Sequence, residues 1–176
     1  TGYGVYANSN VLVAGNLASG NSETGIYVSS GEAQRNVSFY NRRGIEIQSG
    51  TASDNRAYAN ALEGIYAGSS TVTGNTIYSN ATGLNLYYNS IARSNLIYAN
   101  STQGVLMQGG NAAQFIGNTV FQPSGNAISI GGSADNVLLL NNILWSLTGS
   151  AIVVDADSQD GFISDFNMFQ GAVGIW

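Results

Sequence analysis

A short apolar motif returns about every twenty residues along this chain, as Gly25-Ile26-Tyr27-Val28, Gly44-Ile45-Glu46-Ile47, Gly64-Ile65-Tyr66-Ala67 and Gly83-Leu84-Asn85-Leu86. Units that short cannot each enclose a core. Each has room for one turn of a solenoid, whose hydrophobic interior is completed by stacking on its neighbours. Taking the Gly as origin, units begin at Gly4, Gly25, Gly44, Gly64, Gly83, Gly104, Ala127, Ala151 and Gly174. Early spacings are about 19–21 residues and later ones about 23–24, so the late units are expected to carry longer loops on one edge.

Within a unit, period-two alternation predicts short strands. Ile26/Val28, Ile45/Ile47, Leu84/Leu86, Val105/Met107, Ile128/Ile130 and Ile152/Val154 are expected inside, with Tyr27, Glu46, Tyr66, Asn85, Leu106, Ser129 and Val153 between them facing out. After a Gly/Ser-rich turn comes a second inward column, Val13, Ala33, Ala52, Val72, Ala92, Phe115 and Leu139. A third follows at Ala18, Ser38, Ala57, Ile77, Ile97, Val120 and Leu144. Two Asn series punctuate the units: Asn16, Asn36, Asn55, Asn75, Asn95, Asn118 and Asn142, then Asn21, Asn41, Asn60, Asn80 and Asn100. Asn suits tight bends because its amide bonds nearby backbone and its φ can turn positive, and stacked amides can pair along a column. These Asn are therefore expected to be structural.

The runs Asn75-Thr76-Ile77-Tyr78-Ser79-Asn80 and Asn95-Leu96-Ile97-Tyr98-Ala99-Asn100, each leading into Gly-Leu-x-Leu or its equivalent, resemble the right-handed parallel β-helix repeats of the pectate-lyase-like superfamily. The resemblance covers essentially the whole chain. It implies an all-β fold, a right-handed parallel β-helix of about eight coils with about 20–24 residues each, forming one domain over residues 1–176. At about 4.8 Å per coil the rod would be roughly 40 Å long. The chain starts inside one unit and stops at Gly174-Ile175-Trp176, the opening of another, so a segment of a longer solenoid is expected. Were Thr1 and Trp176 true termini, the open end coils would favour end-to-end self-association into filaments.

Only 9% of residues are charged, against about 25% in ordinary domains, so Asn, Ser, Thr, Gln and Tyr must supply most of the surface. Five Arg, no Lys and a net charge of −5 cannot build the basic groove that nucleic acid requires. No apolar run nears the roughly 20 residues of a membrane-spanning helix; runs such as Val137-Leu138-Leu139-Leu140, which ends at Asn141, reach only four. A neutral, Cys-free, Asn/Ser-rich surface fits an extracellular or cell-surface protein.

The few charges can be inspected singly. Arg43 and Glu63 each precede a repeat Gly, and Arg35 and Asp54 each precede an Asn of the first series, so both pairs are expected to meet across coils. Glu46 is expected outside between Tyr27 and Tyr66, a setting in which rings could stack on sugar faces while Glu46 and Asn85 bond hydroxyls. Tyr27, Glu46, Tyr66, Asn85, Arg43 and Glu63 are thus the candidate ligand-binding set, weighed against plain strand-surface roles. Phe39, Tyr58, Tyr78, Tyr98, Phe121 and Trp145 form an outward aromatic column that either stacks on itself or offers an apolar strip to a partner. Asp155, Asp157 and Asp160 form an acidic turn, with Asp135 in the equivalent turn one coil earlier and Asp165 further on, where Ca²⁺ is a candidate cofactor, though the spacing is not that of an EF-hand.

The superfamily resemblance also implies polysaccharide chemistry, but the motifs of its enzymes are missing. Its lyases use Arg or Lys beside Ca²⁺-binding carboxylates; here Lys is absent and Arg lies in other coils than the acidic turn. Its hydrolases use paired Asp with a Gly-His-Gly segment, and its mannuronan-epimerase-like members an Asp-Pro-His segment. This chain has no His, no Asp-Asp, and a single Pro, Pro123. Carboxylates alone could still act as acid and base, and the pairs near enough on one face are Glu46 with Glu63 and the Asp155/Asp157/Asp160 group. The expectation is a non-catalytic module that presents a carbohydrate- or partner-binding face or serves as a rigid scaffold. A polysaccharide lyase, hydrolase or epimerase is the alternative.

Overall fold

The computed structural model describes residues 2–175. It winds as a right-handed parallel solenoid of about eight turns, all strand apart from one 3₁₀ turn at Ala156–Ser158 among the described residues. Each coil makes three strands. The first side holds Val5–Ala7, Thr24–Val28, Arg43–Gln48, Glu63–Gly68, Thr82–Tyr87, Gln103–Gln108 and Asn126–Gly131. The second holds Val11–Ala14, Gly31–Gln34, Thr51–Ser53, Thr71–Thr73, Ile91–Arg93, Gln114–Ile116, Leu138–Leu140 and Ile163–Asp165. The third holds Leu17–Ser19, Val37–Phe39, Arg56–Tyr58, Thr76–Tyr78, Leu96–Tyr98 and Thr119–Gln122.

The first and third sides belong to one fifteen-stranded sheet, because the twelve-residue strand Ile143–Val154 runs from the third side into the first. The second side is a separate eight-stranded sheet. Every pairing between these strands is parallel and joins equivalent positions of successive coils, as Tyr27↔Glu46↔Tyr66↔Asn85 illustrates. All three expected inward columns are buried and merge into one continuous core.

The two Asn series form hydrogen-bonded ladders. The backbone N–H and the side-chain Nδ2 of one Asn both donate to Oδ1 of the Asn in the next coil, at 2.9 and 3.1 Å for Asn36 to Asn55 and at 3.0 and 3.0 Å for Asn60 to Asn80. Positive φ falls not on these Asn, as expected from sequence, but on the residue before each one: Arg35 at 52°, Asp54 at 55°, Tyr40 at 54°, Ala59 at 52°. Bending there turns the Asn inward beneath the corner, where its amide reaches carbonyls inside the coil as well as its ladder partner.

The repeat Gly is explained by the second ladder. A Cβ on Gly44 would lie 2.4 Å from the carbonyl oxygen of Gly64 and 2.7 Å from the Asn60 amide nitrogen. Opposite Gln122 the repeat position is still Gly104, whose Cβ would lie 2.5 Å from Val120 and 2.6 Å from the Ala127 carbonyl oxygen; only in the coils beyond do the equivalent positions become Ala127 and Ala151, both buried. Glycine and asparagine thus recur together because one makes room for the other. Thr1 and Trp176, the ends on which filament formation would depend, lie outside the described residues.

Candidate functional site

The first side carries the one concentration of half-buried charge among the described residues. Strict alternation back from Ile45 would turn Arg43 into the core. The alternation breaks at Gly44, which is buried next to buried Ile45, and Arg43 emerges on the outer surface beside Glu46. Arg43 Nη1 donates to Glu46 Oε2 at 2.6 Å and Nε donates to Glu63 Oε2 at 2.9 Å. These side chains are only 16–20% exposed. Glu46 also accepts from Thr24 Oγ1 and Gln48 Nε2, both at 3.4 Å. The Arg43 guanidinium carbon lies 4.6 Å from the centre of the Tyr66 ring, a cation–π contact.

Electrostatics follow from this packing. Burial works against the Arg43 charge, but hydrogen bonds to Glu63 and Glu46 and their negative charges outweigh it, holding the guanidinium above its ordinary range. The Tyr66 phenol is pushed up, mainly by burial; Arg43 opposes the shift, and Glu46 and Glu63 add to it. Tyr27 is raised by burial first and then by Tyr6 and Glu46. Both phenols therefore keep their protons near neutrality and are hydrogen-bond donors rather than bases.

The structure brings Tyr27, Glu46, Tyr66, Arg43 and Glu63 together, but changes what they can do. Tyr27 stacks on Tyr6 with centroids 4.8 Å apart and planes 6° from parallel. Arg43 covers Tyr66, and Tyr87 of the next coil lies 6.3 Å from it. The ring faces look along the rod toward neighbouring coils, so the expected stacking of these rings on a sugar is not what they offer. They present edges and hydroxyls. Asn85 stands in the outward column yet is only 3% exposed, with Gln108 Nε2 donating to its Oδ1 at 3.4 Å. Thr24, Gln48 and Tyr6, absent from the sequence-derived set, complete the cluster. Each sits one coil or two residues from Glu46 or Tyr27, a signal that register alone makes visible.

The other candidates resolve as well. Arg35 and Asp54 form no ion pair, although Arg43 and Glu63 do; the Asp54 carboxylate instead leans against Gly74 of the following coil. An exposed pair not foreseen, Arg42 with Glu23, closes at 3.2 Å. Along the third side, Phe39, Tyr58, Tyr78 and Tyr98 stack in register with centroids 4.9–5.0 Å apart. Arg56 lies over Tyr58 and Tyr78, and Phe121 meets Trp145 edge-on. This column is self-stacked, and its faces too are occupied. In the acidic turn, Asp157 accepts from Ser133 N–H at 3.2 Å and from the Ser158 hydroxyl at 2.9 Å. Asp155, Asp157 and Asp160 do not converge: no three acidic, His or Cys side chains gather in metal-binding fashion among the described residues. A depression of about 360 Å³ beside Asn10, Leu12 and Glu32 lies on the second side, remote from the Arg43 cluster and without a ring. The triplets Asn36-Val37-Ser38, Asn80-Ala81-Thr82 and Asn100-Ser101-Thr102 match a glycosylation pattern, but all three Asn are buried in ladders.

The architecture defines a class, the parallel β-solenoids. Residues 5–144 match the family described as "Right handed beta helix region", and the chain belongs to that family. Among solved structures it is similar to the Azotobacter vinelandii mannuronan C-5 epimerase AlgE6 A-module, with a TM-score of 0.64 and 15% identity over 96% of this chain. The chain spans 55% of that module's length, and at this identity the likeness is one of fold. No curated protein matches the chain. No helix among the described residues is long and apolar enough to cross a membrane.

Proposed function

We propose that this chain is a non-catalytic β-helix module of a secreted or surface protein, with a carbohydrate-binding face on the first side of the rod. The observation that carries the proposal is the half-buried Arg43–Glu46–Glu63 cluster, edged by the Tyr27 and Tyr66 hydroxyls on an otherwise neutral wall. Such a surface offers donors and acceptors fixed in place by ion pairs and stacking, which suits the hydroxyls of a sugar chain lying along the rod. The same fixing argues against catalysis. A general acid or base must be able to exchange its proton with a reacting atom. Here both carboxylates are committed to Arg43 by hydrogen bonds. The likeness to an epimerase module supports polysaccharide as the ligand class by analogy of fold.

The test is affinity electrophoresis through gels containing individual polysaccharides, run beside assays for reducing ends and unsaturated products. Retention without product release is expected. Tyr27→Phe combined with Tyr66→Phe keeps the rings stacked, removes both hydroxyls, and should weaken retention about tenfold, near 1.4 kcal/mol. Product release would make the chain a polysaccharide-active enzyme. Neither retention nor release would favour a rigid scaffold, which the two continuous Asn ladders also suit.

A further inference from the structure

We infer that the Arg43 face takes neutral, hydroxyl-rich glycans and excludes polyuronates; the inference rests on the carbohydrate-binding proposal above. The first argument is charge. Two carboxylates, Glu46 and Glu63, share one guanidinium, so the cluster carries one net negative charge. The adjacent Arg42–Glu23 pair cancels itself, and the chain as a whole stands at −5. A polyuronate brings one carboxylate per sugar, and each would approach a surface of like sign with no Lys anywhere to answer it.

The second argument is geometry. Proteins grip a carboxylate best with the two parallel N–H bonds of an Arg fork. Each fork of Arg43 already has one arm engaged. Its Nε is spent on Glu63 and its Nη1 on Glu46, and its plane lies on Tyr66. A uronate would have to displace a half-buried glutamate to engage it, exchanging one carboxylate for another and stranding the first. Neutral hydroxyls ask for nothing of the kind. They can accept from the Tyr27 and Tyr66 phenols, donate to the remaining lone pairs of Glu46 and Glu63, and do both with Gln48 and Thr24. Phenols carry their protons across the neutral range, so both O–H donors stay available there.

The experiment uses the full chain and names its probes: xyloglucan, galactomannan and mixed-linkage β-glucan as neutral polymers, alginate and polygalacturonate as polyuronates. Each is cast in a native gel at low ionic strength, with EDTA in one set and calcium in another. Retention by at least one neutral polymer, at least tenfold stronger than by either polyuronate, is expected. The double variant Glu46→Gln/Glu63→Gln turns the cluster to net positive and frees the Arg43 fork, and should gain alginate retention. Far-UV circular dichroism checks its fold. Should it fail to fold, Glu63→Gln alone, with a neutral cluster, should show partial relief of the exclusion. Retention of the unmodified protein by a polyuronate, with or without calcium, overturns the inference and leaves carbohydrate binding standing. A folded double variant that still ignores alginate overturns it too. No retention by any polymer would instead remove the proposal beneath it.

Discussion

Asn100 sits where the second ladder changes hands, and its chemistry is unlike that of the Asn below it. In Asn80 both the backbone N–H and Nδ2 donate to Asn100 Oδ1, and Nδ2 also reaches the carbonyls of Ala57 and Tyr78. In Asn100 the backbone N–H finds Gln122 Oε1, but Nδ2 is buried without a partner. A buried donor left unpaired costs about 1–3 kcal/mol. Asn100→Ala removes that cost together with the acceptor that Asn80 uses, whereas Asn80→Ala loses donors and acceptor alike. Asn100→Ala is therefore expected to be milder by about 1–2 kcal/mol in urea denaturation, where equal losses would show Nδ2 to be satisfied in solution. A second residue-scale prediction concerns alkali. Burial raises Tyr66 and Tyr27 above the ordinary phenol value of 10.0 in the folded chain, so above pH 10 the unfolded chain loses those protons first and stability falls as pH rises. Melting temperature should begin to drop near pH 10, and Tyr66→Phe should flatten the decline. Neither feature was legible beforehand. Both Asn100 and Tyr66 look like ordinary members of their columns, and what sets them apart is the neighbour one coil away.

Elements repeat that lesson with a clear division. Inward residues such as Ile45, Ile47 and Ile77 were readable because apolar alternation answers to one demand, exclusion from water, which every unit repeats at the same positions. Outward residues answer to the register between coils. The Phe39–Tyr58–Tyr78–Tyr98 column could be named from its spacing, but whether its ring faces turned toward solvent or one another depended on rotamers that the chain settles only on stacking. Arg43 defeated alternation because the close approach at Gly44 breaks the strand's parity. The aromatic column makes its own prediction. Tyr78 stacks between Tyr58 and Tyr98, and its hydroxyl accepts from Arg56 Nε at 2.8 Å. Tyr78→Ala forfeits two ring contacts worth about 0.5–1.5 kcal/mol each, for a loss of about 1–3 kcal/mol. Tyr78→Phe gives up only the exposed hydrogen bonds from Arg56 Nε and Nη2 and should cost under about 0.5 kcal/mol. Similar costs for both in chemical denaturation would mean that Arg56, not stacking, secures this edge.

Across the whole molecule the interior thickens along the rod. In the second and third coils the columns of the second and third sides hold Ala33, Ser38, Ala52 and Ala57; in the sixth and seventh they hold Phe115, Val120, Leu139 and Leu144, all fully buried. At about 0.8 kcal/mol per buried methylene, each Ala-to-Leu step is worth about 2 kcal/mol of transfer free energy. Solenoid stability sums over coils and their nearest neighbours, so such a gradient is not averaged away. The early coils recover part of it outside, through the stacked rings and the Arg43 cluster, but ring contacts of about 0.5–1.5 kcal/mol do not close a difference repeated at two positions per coil. Native-state hydrogen exchange read by mass spectrometry should therefore find the amides of residues 31–58 opening before those of residues 114–144. Uniform protection would mean that the exterior contacts, not interior volume, set coil stability. The proposed face lies on these softer early coils. A ligand bound there stabilises by RT ln(1 + [L]/Kd), and nearest-neighbour coupling keeps that gain local. A retained neutral glycan should accordingly slow exchange over residues 24–87 and leave residues 114–144 unchanged. Protection that rose evenly along the rod would place the ligand elsewhere.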